Sequence, residues 1–308
     1  MRVVSLLPAG TEIVAAVGAA ADLVGISHEC DFPAAVLSLP RVTSTPIDPG
    51  LSGAAIDAEV RHLREAGRPV IAVDADQMGL LRPDLIITQG LCEVCAVSDG
   101  VVFRLAEALK PRPRIVSLVA RDLDGIWRDV RTVGAALDRS REANDLVLAL
   151  QSRLRKLTAL PRPKRTRVLC VEWLEPLYLA GHWVPELVAA AGGVDVGALP
   201  GSHSLRREWE EVGRIGPDHV LVMLCGFGIP RARAELESVS DSHALELLGQ
   251  VPTWILDANQ YTSRPGPRVV EGAEHIHAAL TGAFTPQVER WEPAIFGPVP
   301  PTPLPDGE

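Results

Sequence analysis

Cys92 and Cys95 stand in the run Gln89-Gly90-Leu91-Cys92-Glu93-Val94-Cys95, a C-x-x-C spacing that suits either a redox pair or half of a zinc site. No second pair of this kind occurs, so the motif by itself decides between neither. Other chemistry-bearing side chains gather in short clusters. These are His28-Glu29-Cys30-Asp31, Glu172-Trp173, Gly181-His182-Trp183, Cys225-Gly226-Phe227-Gly228, Asp257-Ala258-Asn259-Gln260-Tyr261, and Arg264 to Arg268. His28, Cys92, Cys95 and His182 have the donor types of a transition-metal site. Trp173, Trp183, Phe227 and Tyr261 offer faces for a flat, largely apolar ligand, and Gln89, Glu172 and Arg264 offer polar contacts to its edges. Cys30, Glu93 and Cys225 complete the candidate set. Plainer roles compete with these: a free Cys is usually a small buried hydrophobe, as expected for Cys170, and Glu172 and Arg264 would serve equally well as an ion pair. No nucleophile elbow, phosphate-cradling glycine loop or His-x-x-x-His pair appears. The chemistry points to binding more than to turnover.

The elements that must position these residues alternate. Short β-branched runs at 3–7, 23–27, 70–73, 85–88 and 115–118 are interleaved with helical patterns at 11–17, 55–66 and 100–109. Such alternation implies α/β architecture with a mostly parallel sheet. Thr11 is placed to cap the first helix, with Glu12 in its first turn. Apolar residues then recur at spacing three or four, first at Leu123, Ile126, Val130, Val133 and Leu137, and again at Leu146, Leu150, Leu154 and Leu157. Two helices joined near 138–140 follow from this, the second long enough to link two lobes. A second alternation places strands at 168–171, 177–179, 220–224 and 254–256, and helices at 184–191 and 268–280. The expected organisation is an N-terminal lobe over 1–120, bridging helices over 121–162 and a C-terminal lobe over 163–283. Residues 284–308, with seven prolines, read as an extended tail. In open α/β sheets ligands sit beyond the carboxyl ends of the strands. Nearly all the clusters above fall on such strand-end loops, including four of the five cysteines and four of the 13 aromatic residues.

Charge narrows the partners. A net charge of −9 leaves no basic surface for phosphate contacts, which argues against nucleic acid. No stretch approaches the ~18 uninterrupted apolar residues that a membrane helix requires. The chain opens directly on a strand-like run without a secretory leader, and its odd number of cysteines fits free thiols, so a cytoplasmic location is expected.

Several motifs together resemble one known family. Residues 2–12 (RVVSLLPAGTE), 24–27 (VGIS) followed by 31–33 (DFP), 80–87 (LLRPDLII), Gly192-Gly193 and 264–269 (RPGPRV) are similar to the periplasmic-binding-protein family of cobalamin and iron-chelate ABC importers, the helical-backbone class. The resemblance runs from residue 1 to about 282. It is strongest with the cobalamin-binding subgroup, through 172–182 (EWLEPLYLAGH). It implies two Rossmann-like α/β lobes bridged by one long helix, a ligand pinched between them, and little hinge motion. It also implies an acidic docking residue on each lobe. Asp99 fits the first position, but Arg231 and Arg233 occupy the corresponding loop of the second lobe, a charge that opposes docking to an importer.

The expected function is therefore a cytoplasmic binder of a corrinoid, cobalamin-like, or a related metal chelate, in which His28 or His182 replaces an axial ligand of the metal. Two alternatives stand beside it. One is a metal- or thiol-dependent enzyme on the same scaffold, using Cys92 and Cys95 with a His. The other is the substrate-binding subunit of a cobalamin or iron-chelate importer.

Overall fold

The computed structural model describes residues 1–90, 99–160, 165–283 and 285–292. Its N-terminal part is built on four parallel strands in the order β2-β1-β5-β6: β1 (Val3–Ser5), β2 (Leu23–Ile26), β5 (Leu85–Gln89) and β6 (Arg114–Leu118). Leu85 to Thr88 are buried throughout, as expected where helices cover both faces of a parallel sheet. Between β1 and β2 runs α1 (Pro8–Ala16), opened by Pro8, whose missing N–H costs nothing at a first helical position. Thr11 does not cap this helix. It lies buried in the second turn, its hydroxyl 3.1 Å from Cys30 Sγ. The run at 70–73 also departs from expectation. Its strand β4 (Ala72–Val73) pairs with β3 (Thr43–Ser44) in a separate two-stranded sheet, and between them lies α2 (Gly53–Glu65). Helices α3 (Ala75–Leu81) and α4 (Asp99–Ala108) complete this lobe.

Two antiparallel helices follow, α5 (Leu123–Ala136) and α6 (Ser140–Thr158). Asp122 caps α5 by accepting from Gly125 N, and α5 buries Leu123, Ile126, Trp127, Val130 and Val133. The buried stripe of α6 is Ala143, Val147, Leu150, Leu154 and Leu157, with Leu146 at its margin. This stripe belongs to a core that also takes in Val3 and Ile13 from the first lobe and Val168, Leu187 and Val270 from the second. The helix pair is thus packed against both lobes.

The C-terminal part carries a mixed sheet in the order β10-β8-β7-β11-β12 and then β13 (Val288–Trp291), with β9 (Gly193–Asp195) also paired to β7. Its centre is parallel: β7 (Thr166–Trp173), β11 (His219–Val222) and β12 (Thr253–Leu256). Strands β8 (Tyr178–Leu179) and β10 (Leu205–Arg206) add antiparallel partners on one side. Helices α7 (Val184–Ala191), α8 (Trp209–Gly213), α9 (Ile229–Glu237), α10 (Ser242–Gln250), α11 (Ala258–Tyr261) and α12 (Val269–Thr281) surround the sheet. Gly192 in the left-handed conformation ends α7.

The proline-rich C-terminal segment does not begin as an extended tail. Residues Val288–Trp291 form β13, antiparallel to β12, with Val288 and Trp291 buried. Prolines 286 and 293 flank this stretch without interrupting it, and an edge strand needs only one bonded side. Among the described residues no helix is long and apolar enough to cross a membrane.

Candidate functional site

Strand-end loops from the two lobes meet along one seam, which among the described residues is closed by three groups of contacts. The central group is ionic. Glu12, on the buried face of α1 and only 2 % exposed, accepts from Arg264 Nη1 at 3.1 Å and from Arg268 at 2.6 and 3.0 Å. Arg264 also donates to both carboxylate oxygens of Asp31, at 2.5 and 2.9 Å, and to Asn259. Burial opposes the charge on Arg264, yet its bonds to Asp31 and the nearby Glu12 hold the guanidinium above its ordinary value. Burial likewise acts against the Asp31 carboxylate, and the Arg264 bonds outweigh it, so its pKa falls below the usual range. Phe32 stacks on Arg268 at 4.2 Å. Arg41 fixes this loop by donating to the carbonyls of Ser27 and Cys30.

A second group surrounds a cavity of about 250 Å³. Ser52, Gly53 and Ala54 line it from the first lobe. Trp173, Leu174 and Phe227 line it from the second. The rings of Trp173 and Phe227 lie 5.3 Å apart and tilted, and Trp173 approaches so closely that a Cβ on Gly53 would sit 3.4 Å from its ring. Trp173 Nε1 is buried, without a hydrogen-bond partner among the described residues. The cavity is latched: Glu235 accepts from Gly53 N at 2.9 Å, and Arg231 donates to the carbonyls of Pro49 and Leu51 while lying over the Phe227 ring.

The third group lies beyond β6, at the other edge of the first sheet. Glu186 of α7 accepts from Leu123 N at 2.8 Å, tying the second lobe to the start of α5. Close by in the chain, His182 adopts a positive φ of 55° and packs against Trp183 and His203. Burial lowers the His182 pKa, and His203 and Arg121 add to the effect.

The expected site residues divide accordingly. Trp173 and Phe227 come together at the cavity, and Arg264 sits in the ionic group rather than against Glu172. Trp183 lies in the core, its Nε1 donating to Thr262 O at 2.8 Å, because the start of α7 packs into the shared core. Cys30 is likewise core, held by Thr11 and Ser27, with burial pushing its thiol pKa up. Tyr261 packs edge-on against His275 and does not line the cavity. Gln89 is half-buried at the end of β5, Glu172 accepts from Cys225 N through its carbonyl, and Cys225 is half-buried. His28 is bonded to Thr43 through both its backbone N–H and Nδ1, and burial followed by the charge of Arg41 lowers its pKa. It follows β2 at one sheet edge, whereas His182 feels Arg121 beyond β6 at the other, so the two imidazoles do not form a common donor set. Cys92, Glu93 and Cys95 lie outside the described residues. Among the described residues no group of three or more His, Cys, Asp or Glu is arranged to hold a metal ion.

Asp31 and Arg268 fall in the strand-end clusters but were given no site role, and Glu12, Arg231, Glu235 and Gly53 were not among the candidates. Glu12 nevertheless carried a readable signal. It sits between Thr11 and Ile13 on an otherwise apolar helix, where a buried charge demands a partner. Nothing local marks the contacts of Ser52 and Gly53.

Sequence comparison with curated proteins finds no significant match. Among solved structures, a periplasmic heme binding protein from Pseudomonas aeruginosa superposes with a TM-score of 0.68 at 21 % identity, covering 94 % of this chain and 97 % of the other. The periplasmic vitamin B12 binding protein of Vibrio cholerae gives 0.60 at 21 % identity, covering 91 % and 96 %. A periplasmic heme-binding protein from Roseiflexus in its apo form gives 0.67 at 19 %, covering 91 % and 98 %. These likenesses concern the two-lobed α/β fold. The sequence model of the periplasmic binding proteins matches residues 3–249, most of the chain, and this chain therefore belongs to that family.

Proposed function

We propose that this protein binds a flat metal chelate of the corrinoid class, cobalamin-like, in the seam between its lobes, and that it does so in the cytoplasm. The aromatic cavity between Gly53 and the Trp173–Phe227 pair supports this most directly. It is formed by both lobes, and it offers the aromatic faces of Trp173 and Phe227. Structural relatives that bind heme and vitamin B12 agree with a chelate of this general kind. At about 250 Å³ the cavity is smaller than the ~300–1,000 Å³ typical of small-molecule sites, so a corrinoid enters by parting the Arg231 and Glu235 latches. Arg231 is engaged by residues 49 and 51 and by Phe227, which speaks against its region serving as an acidic importer-docking point. The free thiols of Cys30, Cys170 and Cys225 favour a reducing compartment, to be checked by cell fractionation.

Titration with cyanocobalamin and with hemin, followed by visible absorption, tests the ligand. Mass spectrometry of what co-purifies identifies the natural one. A saturable spectral change with the corrinoid is expected. No change with either compound, and no co-purifying chelate, would remove the proposal.

A further inference from the structure

We infer that Arg264 is an anion-recognition point for the ligand and that Asp31 masks it, standing in for a carboxylate of the chelate until the chelate arrives. This deepens the reading above and rests on it only for the identity of the ligand. The asymmetry of the ionic group is what points there. Glu12 is 2 % exposed and satisfied by two arginines, so it belongs to the permanent structure. Asp31 is 46 % exposed, comes from a loop of the opposite lobe, and takes two hydrogen bonds from Arg264, an arginine only 8 % exposed. Arg264 thus turns one face to a buried carboxylate and the other to a carboxylate at the surface.

A two-pronged guanidinium–carboxylate contact can be reproduced by any planar carboxylate of the right reach. Asn259, which donates to Asp31 Oδ2 at 3.0 Å and accepts from Arg264 at 2.8 Å, would hold an incoming carboxylate in the same plane. Phe32, 44 % exposed, lies beside the same position and stacks on Arg268. If the Asp31–Phe32 turn swings away, two guanidinia remain against the single carboxylate of Glu12. Glu29 is close enough to feel both Arg264 and Asp31, and burial biases it toward the protonated form. The uncovered site therefore favours a chelate carrying a peripheral carboxylate over the same chelate esterified.

The test removes the mask. In Asp31→Ala, acetate should raise the melting temperature saturably above the effect of chloride at matched ionic strength and pH, whereas the unaltered protein should respond alike to both salts. Binding of hemin and of hemin dimethyl ester is measured in parallel. Loss of the mask should shift the hemin-to-ester affinity ratio about tenfold toward hemin, the scale of one charge-assisted contact. Asp31→Asn, which keeps the side chain's shape, should shift that ratio in the same direction. Absence of acetate rescue, or an unchanged ratio while both porphyrins bind, overturns the masking. Rescue with neither porphyrin bound keeps the masked anion point and instead overturns the chelate reading.

Discussion

Glu12 and Arg264 are 252 residues apart in the chain and 3.1 Å apart in the fold, and their ion pair, closed over by Arg268, fastens the first helix of one lobe to the strand-end loop of the other. A buried carboxylate between two guanidinia carries a large desolvation cost that only its partners offset. Glu12→Gln should leave both arginines undercompensated and cost about 3–5 kcal/mol, the range for breaking one side of a buried pair. Urea unfolding with an unchanged m-value is the measurement. A loss under about 1 kcal/mol would mean the group is solvated in solution, as exposed pairs are.

Trp173 lines the cavity, and its buried N–H has no acceptor among the described residues. Replacing it by Phe removes an unsatisfied donor, so stability should hold or rise by up to about 1–3 kcal/mol. Corrinoid affinity should fall at the same time if that N–H meets a polar edge of the ligand. Unchanged affinity would assign Trp173 a purely apolar role.

Asp129 is buried and accepts from the backbone N–H groups of Val119 and Ala120, holding the loop that leads from β6 into α5. Burial raises its pKa from 3.8 to about 6. Between those two values the unfolded chain is ionised while the native protein keeps the proton. Raising the pH from about 4 to about 6 therefore favours unfolding through this group, by about 1–3 kcal/mol in all. Asp129→Asn should flatten the stability profile over that interval. An unaltered profile would place the titration elsewhere, the half-buried Asp195 being another carboxyl raised to about 6.

The thiols should separate by alkylation rate. Cys30 and Cys170 are buried with raised pKa values and should label slowly, while half-buried Cys225 should label faster. Cys92 and Cys95 are expected to react fast and to be shielded by a bound corrinoid. Slow labelling of that pair, matching Cys170 and indifferent to ligand, would make them core residues.

Scattering profiles with and without cyanocobalamin should nearly overlay, because α5 and α6 share one apolar core with both lobes and a continuous helix resists bending. Ligand entry then falls to the loops at 27–33 and 49–53. A marked contraction would require a hinge that this packing does not offer.

Much of the fold was legible because its signals are local. Buried β-branched runs, three-four periodicity and paired glycines at a helix end each reflect a chain segment meeting a generic apolar environment, which explains β5, β7, α5, α6 and the end of α7. The loops after the strands were found the same way, since strand direction decides where a parallel sheet exposes its reactive ends. The burial of Trp183 and Cys30 was not legible, because residue type says nothing about which side of a loop faces the core. β13 was hidden by its flanking prolines, and only the free edge of β12 made it a strand. The seam itself could not be read in advance. Whether Arg264 meets Glu172 or Glu12, or whether Gly53 lies against Trp173, depends on how two lobes are set by the helices between them, and no local propensity encodes that distance. The sequence by itself determined the elements and the loops from which a site had to be made. The tertiary structure decided which charges meet, because buried ions find their partners only after both lobes have packed.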